Sequence, residues 1–193
     1  MKITVGGNIG CGKTTLIRTL DPKWNVKPEP IEKWGSWLDL FYSDMKRFCF
    51  SFQMKILYDF LGYDNDAFFV SERSPMDSLY VFAKGLVHSD IMSYMEYNLL
   101  SEFVHHIGWV PDVYIYLRTS PEICFERIQQ RSRDCENGVG LDYIKTIHQE
   151  YERLTSQILV DMNVKVHVID ASKSPSEVKG AVENIIYTYT KND

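Results

Sequence analysis

Eight consecutive residues near the amino terminus, Gly7-Asn8-Ile9-Gly10-Cys11-Gly12-Lys13-Thr14, satisfy the pattern G-x-x-x-x-G-K-[ST] at every fixed position. Glycines at those positions let the backbone curl until successive N–H groups point inward, and a helix beginning at the end of the loop adds its positive pole. Such a cradle holds a polyphosphate. Lys13 would reach the β- and γ-phosphates, the Thr14 hydroxyl would ligate Mg²⁺, and Thr15 is counted with the same site. Two further groups have the types and spacing for anion chemistry. Glu72-Arg73 follow directly on the apolar run 67–71, and Arg127, Arg131 and Arg133 recur at steps of four and two. The first two of those arginines share a helical face. The chain has no N-K-x-D guanine motif, so a kinase of small metabolites is favoured over a GTPase switch.

Holding these groups together requires a parallel sheet, and the chain has the pattern for one. A short β-branched strand at 2–5 precedes the loop, and a helix over 13–20 follows it, stopped by Asp21-Pro22. Val26 starts a possible short strand, closed by Pro28 and Pro30. Apolar residues at helical spacing run over 37–61 with a break at Ser43-Asp44. Buried strands are expected at 67–71, 112–117 and 165–169. Helices are expected at 75–84, 89–106 and 141–159, with two more starting at Ser120-Pro121-Glu122 and Ser174-Pro175. Strands alternating with helices imply a three-layer α/β fold of about five parallel strands flanked by helices. One domain over 1–193 is expected.

Composition removes several alternatives. With 193 residues, 45% hydrophobic and 24% charged, the chain is neither disordered nor fibrous. A net charge of −5 argues against an electrostatic nucleic-acid partner. No apolar run approaches the ~20 residues that span a bilayer, so no membrane is implied. The four cysteines are scattered without C-x-x-C spacing, which argues against zinc and a disulfide scaffold and for a reducing compartment.

Three further segments make the chain resemble the deoxyribonucleoside kinase family, which includes thymidine, deoxycytidine and deoxyguanosine kinases. They are Pro28-Glu29-Pro30-Ile31-Glu32-Lys33-Trp34, then Ser71-Glu72-Arg73-Ser74, then Tyr116-Leu117-Arg118-Thr119-Ser120-Pro121-Glu122 running on to Arg127, Arg131 and Arg133. The resemblance implies a P-loop kinase fold with a lid over about 127–138, ATP and Mg²⁺ as cofactors, and a deoxyribonucleoside acceptor. It makes Glu29 the general base, because a 5′-hydroxyl is a poor nucleophile until a carboxylate accepts its proton. Glu72 would help hold Mg²⁺, Arg73 would stabilise charge near the 5′-oxygen, and the lid arginines would cover the phosphates.

For the nucleoside, the resemblance implies that Tyr42 and Glu136 bond the sugar 3′-hydroxyl, with Cys135 standing where many members carry a second acid. Gln53 would read the pyrimidine edge with its amide donor and acceptor. Trp34 and Phe82 would pack on the base. Phe60 and Ser78 stand where the cytosine and purine kinases carry Arg and Asp, and Ile56 adds to the same wall. An apolar wall suits the thymine methyl, so thymidine is the leading substrate, with deoxyuridine and deoxycytidine behind it. A homodimer in the cytoplasm, serving nucleotide salvage for DNA synthesis, is the further expectation. Two rivals stay open: a nucleoside monophosphate (thymidylate) kinase, and a nucleotide-binding regulatory module without turnover.

Overall fold

The computed structural model describes residues 1–63, 66–131 and 139–190. Five strands form one parallel sheet in the order β2-β3-β1-β4-β5: β1 Lys2–Gly6, β2 Val26–Lys27, β3 Phe69–Glu72, β4 Val113–Arg118 and β5 Lys165–Asp170. β1 lies in the middle, with Val5 opposite Glu72 of β3 on one side and Ile115 of β4 on the other. β2 pairs Val26 with Val70 and Lys27 with Ser71. The carboxyl ends of β1, β2 and β3 therefore open onto one edge, where parallel sheets take ligands.

The sheet is covered on both faces, and β4 shows how. Its first five residues are buried. Tyr114 and Tyr116 turn into a cluster with Leu79, Leu100, Tyr151 and Leu154. Val113, Ile115 and Leu117 turn the other way, onto Ile3, Val5, Leu16, Cys124, Val182 and Ile186. A side-chain period of two sends alternate residues to opposite cores, so a strand buried on both faces reads as a continuous apolar run.

The helices carry the rest. α1 (Lys13–Ile17) begins at the loop, and α2 (Gly35–Ser43) and α3 (Met45–Leu61) meet at Asp44, whose side chain caps α3 by accepting from the Arg47 N–H at 3.2 Å. α4 (Pro75–Asp77), a π-helical stretch (Ser78–Ala83) and α5 (Lys84–His88) run on as one rod. α6 is Tyr94–Ile107, α7 Pro121–Arg131 and α8 Leu141–Arg153. A second π-helical stretch (Leu154–Ile158) leads from α8 into α9 (Leu159–Asp161), and α10 (Pro175–Thr190) packs against the sheet. No helix among the described residues is long and apolar enough to cross a membrane.

Some boundaries differ from the sequence expectation. α1 stops at Ile17, not near Leu20, because the chain tightens there: Thr19 N bonds Leu16 O at 2.8 Å and Leu20 N bonds Ile17 O. The helix expected from Ser89 starts at Tyr94, where Ser93 and Glu96 exchange reciprocal capping bonds. The strand expected at 67–71 is Phe69–Glu72, which puts Glu72 inside the sheet.

Candidate active site

The phosphate loop joins β1 to α1. Gly10 (φ 81°) and Gly12 (φ 103°) hold left-handed backbone, and a Cβ on Gly10 would lie 2.4 Å from the Cys124 carbonyl oxygen. No other residue type fits there without strain. The Lys13 ammonium is buried and donates to the carbonyls of Gly7 and Asn8 at 2.8 Å each. Asn8 Nδ2 in turn donates to Ile144 O at 2.9 Å, tying the loop to α8.

The acidic and basic residues after β2 and β3 meet at the sheet edge. Glu29 lies two residues past β2 and is fixed by a tight turn at Pro30 (φ −83°, ψ 52°), closed by Ile31 N bonding Glu29 O at 2.9 Å. Arg73 Nη1 donates to both oxygens of the Glu29 carboxylate at 2.5 Å. Glu72 is buried. One of its oxygens accepts from the Thr14 hydroxyl at 2.7 Å and the other from the Glu29 N–H at 3.4 Å. A single carboxylate thus links the phosphate loop to the segment that carries Glu29. Burial pushes the Glu29 carboxyl above the ordinary glutamate range; the Glu72 charge adds to this, and Arg73 opposes it.

Arg73 is a non-glycine residue at φ 62°. That conformation is strained and persists only where the surroundings over-determine it. The surroundings are on hand: its N–H bonds Val5 O at 3.0 Å, its guanidinium carbon lies 4.5 Å from the Phe82 ring centroid, and the Tyr151 hydroxyl faces it. Beneath it, the fully buried Asp77 accepts from Ser74 N at 2.9 Å, Ser74 Oγ at 2.6 Å, Tyr114 at 2.5 Å and Tyr151 at 3.0 Å. Asp77, Tyr114 and Tyr151 were not singled out by the sequence. Ser74-x-x-Asp77 after a strand was the available signal, whereas the tyrosines read as plain core.

A cavity of about 480 Å³ extends from this edge. From the phosphate loop it is lined by Ile9, Gly10, Gly12, Lys13, Thr14 and Thr15, and then by Glu29, Glu72 and Arg73. At the other end it is lined by Trp34, Tyr42, Gln53, Ile56, Phe60, Ser78 and Phe82. Leu38, Phe41, Phe52, Leu86 and Tyr143 complete the apolar wall and were missed, since nothing in their spacing separates a pocket wall from core. Trp34 is fixed through its indole N–H, which donates to Asp59 at 2.6 Å. Phe60 packs against Phe69 and Trp109. Ser78 differs from the expectation of a merely small, apolar wall residue: its hydroxyl donates to the Gln53 side-chain oxygen at 2.7 Å.

Arg131 lines the cavity. Arg127 does not, and its guanidinium instead donates to the backbone carbonyls of Cys11 and Ala171 at 3.2–3.3 Å, bracing the loop from behind. Gly7, Asn8 and Cys11 also lie behind the cavity wall, consistent with a loop that offers backbone rather than side chains. Arg133, Cys135 and Glu136 lie outside the described residues.

The donor set fits Mg²⁺. A hydroxyl and a carboxylate, both hard oxygen groups, stand 2.7 Å apart at the mouth of the loop, and a cation that keeps its waters and borrows phosphate oxygens needs little more from protein.

The chain is similar to known proteins in sequence and in fold. The thymidine kinase of Ictalurid herpesvirus 1 (strain Auburn) is 31% identical over 94% of this chain and 84% of its own length. Deoxycytidine kinase 2 of Gallus gallus is 31% identical over 78% of this chain and 72% of its own. In fold, deoxyadenosine kinase from M. mycoides, solved with dCMP and dCDP bound, superposes with a TM-score of 0.84 at 24% identity, covering 97% of this chain and 100% of that one. The five-stranded parallel sheet with its flanking helices thus has the fold of that kinase. The family model for deoxynucleoside kinases matches residues 3–191, nearly the whole chain, and the protein belongs to that family of ATP-dependent enzymes.

Proposed function

We propose that the protein transfers the γ-phosphoryl group of ATP to the 5′-hydroxyl of a deoxyribonucleoside, with thymidine the favoured acceptor and deoxyuridine and deoxycytidine behind it. The observation that carries this reading is the position of Glu29, a buried carboxylate between the phosphate loop and an apolar cavity wide enough for a nucleoside. An acceptor that arrives with a free hydroxyl needs a base there. An acceptor that is already a phosphate would need cations instead, and Lys27 is tied to Asp66 at 2.8 Å.

In this mechanism Glu29 takes the 5′-hydroxyl proton as the oxygen bonds to the γ-phosphorus and ADP leaves. Arg73 holds the carboxylate in line and faces the charge that develops on the transferring group. Lys13 and the loop N–H groups hold the β- and γ-phosphates, while Arg131 and Arg133, with Arg127 bracing the loop, close the phosphate side. Thr14, with Glu72 behind it, would hold Mg²⁺, which neutralises charge on the phosphate oxygens when bound. Tyr42 and Glu136 bind the sugar 3′-hydroxyl, and Gln53, Trp34, Ile56, Phe60, Ser78 and Phe82 take the base. The thymidine preference rests on the apolar wall of Ile56 and Phe60 beside the base reader.

A cytoplasmic homodimer in nucleotide salvage is the setting of this proposal. On α6, Met95, Leu99, Phe103 and Ile107 follow one another at four-residue steps and are 79%, 44%, 38% and 47% exposed. Such a stripe is expected to be covered by a second copy. Cys11, Cys49 and Cys124 are free and buried, as suits a reducing compartment.

The test is label transfer from γ-labelled ATP, offered thymidine, thymidine monophosphate or no acceptor. Label on thymidine supports the proposal. Label only on the monophosphate selects a monophosphate kinase, and label on neither selects a non-catalytic module.

A further inference from the structure

The hydrogen bond from Ser78 to Gln53 bears on which bases the pocket takes. Both residues are 3% exposed and line the cavity. Gln53 comes from α3, and Ser78 opens the π-helical stretch after α4. Their contact, Ser78 Oγ to Gln53 Oε1 at 2.7 Å, is the one hydrogen bond of the Gln53 side chain among the described residues, so the rest of the amide is left to the cavity.

A pyrimidine edge poses a specific problem for such an amide. At positions 3 and 4 thymine offers a donor and then an acceptor, whereas cytosine offers an acceptor and then a donor. An amide in one orientation matches one edge; it must turn over to match the other. A side chain that only donates or only accepts would hold the amide in one orientation. A hydroxyl does both: it donates to the amide oxygen as seen here, and on rotation accepts from the amide N–H₂ of the reversed group.

We propose that Ser78 is a positioning residue that keeps Gln53 partnered in both orientations, so that the pocket accepts the keto and the amino pyrimidine edge alike. This rests on the nucleoside-kinase reading of the cavity. The methyl-facing wall then gives thymidine a modest lead rather than an exclusive one.

The experiment compares kcat and KM for thymidine and deoxycytidine in the wild type, Ser78→Ala, Ser78→Thr, Gln53→Ala and the Gln53→Ala/Ser78→Ala double variant. Alanine suits a helix, so the fold is retained. The wild-type kcat/KM values should lie within about 200-fold of each other, the upper range set by a methyl contact. Ser78→Ala should raise KM for both nucleosides about 5- to 30-fold with kcat little changed, as expected for a buried amide that loses its partner. Ser78→Thr should restore most of the loss. With Gln53 already removed, Ser78→Ala should add less than about twofold, since it acts through Gln53.

A KM that stays put for either nucleoside, full additivity with Gln53→Ala, or a wild-type ratio beyond about 200-fold would overturn the role of Ser78. A wild-type protein that phosphorylates neither nucleoside would instead tell against the kinase reading on which it stands.

Discussion

Glu29 and Arg73 form a pair whose two halves were legible to different degrees. The resemblance to the deoxyribonucleoside kinases marks Glu29, and its place directly after a buried strand marks Arg73. The sequence does not show that Arg73 adopts φ 62° or that Tyr151 reaches Asp77 beneath it, because that contact joins residues far apart in the chain. Two predictions belong here. Glu29 must be ionised to accept a proton, and its burial raises the pH at which it ionises. Activity should therefore rise with pH along a limb whose midpoint lies above the ordinary glutamate value of 4.5, and a kcat/KM profile with that limb at or below 4.5 would contradict the burial. Removing the Tyr151 hydroxyl (Tyr151→Phe) takes one donor from Asp77 and one neighbour from Arg73. We expect a loss of about 1–3 kcal/mol in thermal unfolding and a fall of about tenfold in kcat. An unchanged kcat would show that Arg73 holds its pose without Tyr151.

The elements that position the site were nearly all readable, because β1 and β4 are rich in β-branched or aromatic residues and the phosphate loop declares the first strand–helix junction. What escaped was local. The Ser93-x-x-Glu96 box that starts α6 was in the sequence, but the apolar spacing upstream masked it. The two π-helical stretches leave no pattern, since one wide turn shifts the register by a single residue. At the loop, Lys13→Ala and Thr14→Ala should each cripple turnover while far-UV circular dichroism stays native, and EDTA should abolish activity until Mg²⁺ is restored; metal-independent transfer would remove the metal role of Thr14 and Glu72. Across α3 and the first π-helical stretch, Phe60→Arg with Ser78→Asp installs the polar pair of the cytosine and purine kinases. The two must go in together, because a lone buried charge costs several kcal/mol. The kcat/KM ratio should move about 10- to 100-fold from thymidine toward deoxycytidine or deoxyadenosine. A folded double variant with the wild-type ratio would take these positions out of the base pocket.

At the scale of the whole molecule, a parallel sheet with one active edge brings three distant segments to a single point. The loop after β1 supplies the glycine-rich cradle, the segment after β2 supplies one carboxylate, and the last residue of β3 and the one after it supply the carboxylate and guanidinium that join them. α2 and α3, which precede β3, and the helical rod that follows it then line an apolar chamber beside that point. The ends of this arrangement were foreseeable from motifs and part of the wall (Trp34, Ile56, Phe60, Phe82) through the resemblance alone, whereas Leu38, Phe41 and Tyr143 carry no signature apart from core. The central claim is that Glu29 accepts the proton of the acceptor hydroxyl, and Glu29→Gln tests it most directly, because the amide keeps shape and hydrogen bonding while losing basicity. With thymidine and ATP as substrates, kcat should fall by about 100-fold or more while thymidine affinity stays within about threefold of wild type; a variant that keeps more than about a third of the wild-type kcat would contradict the account.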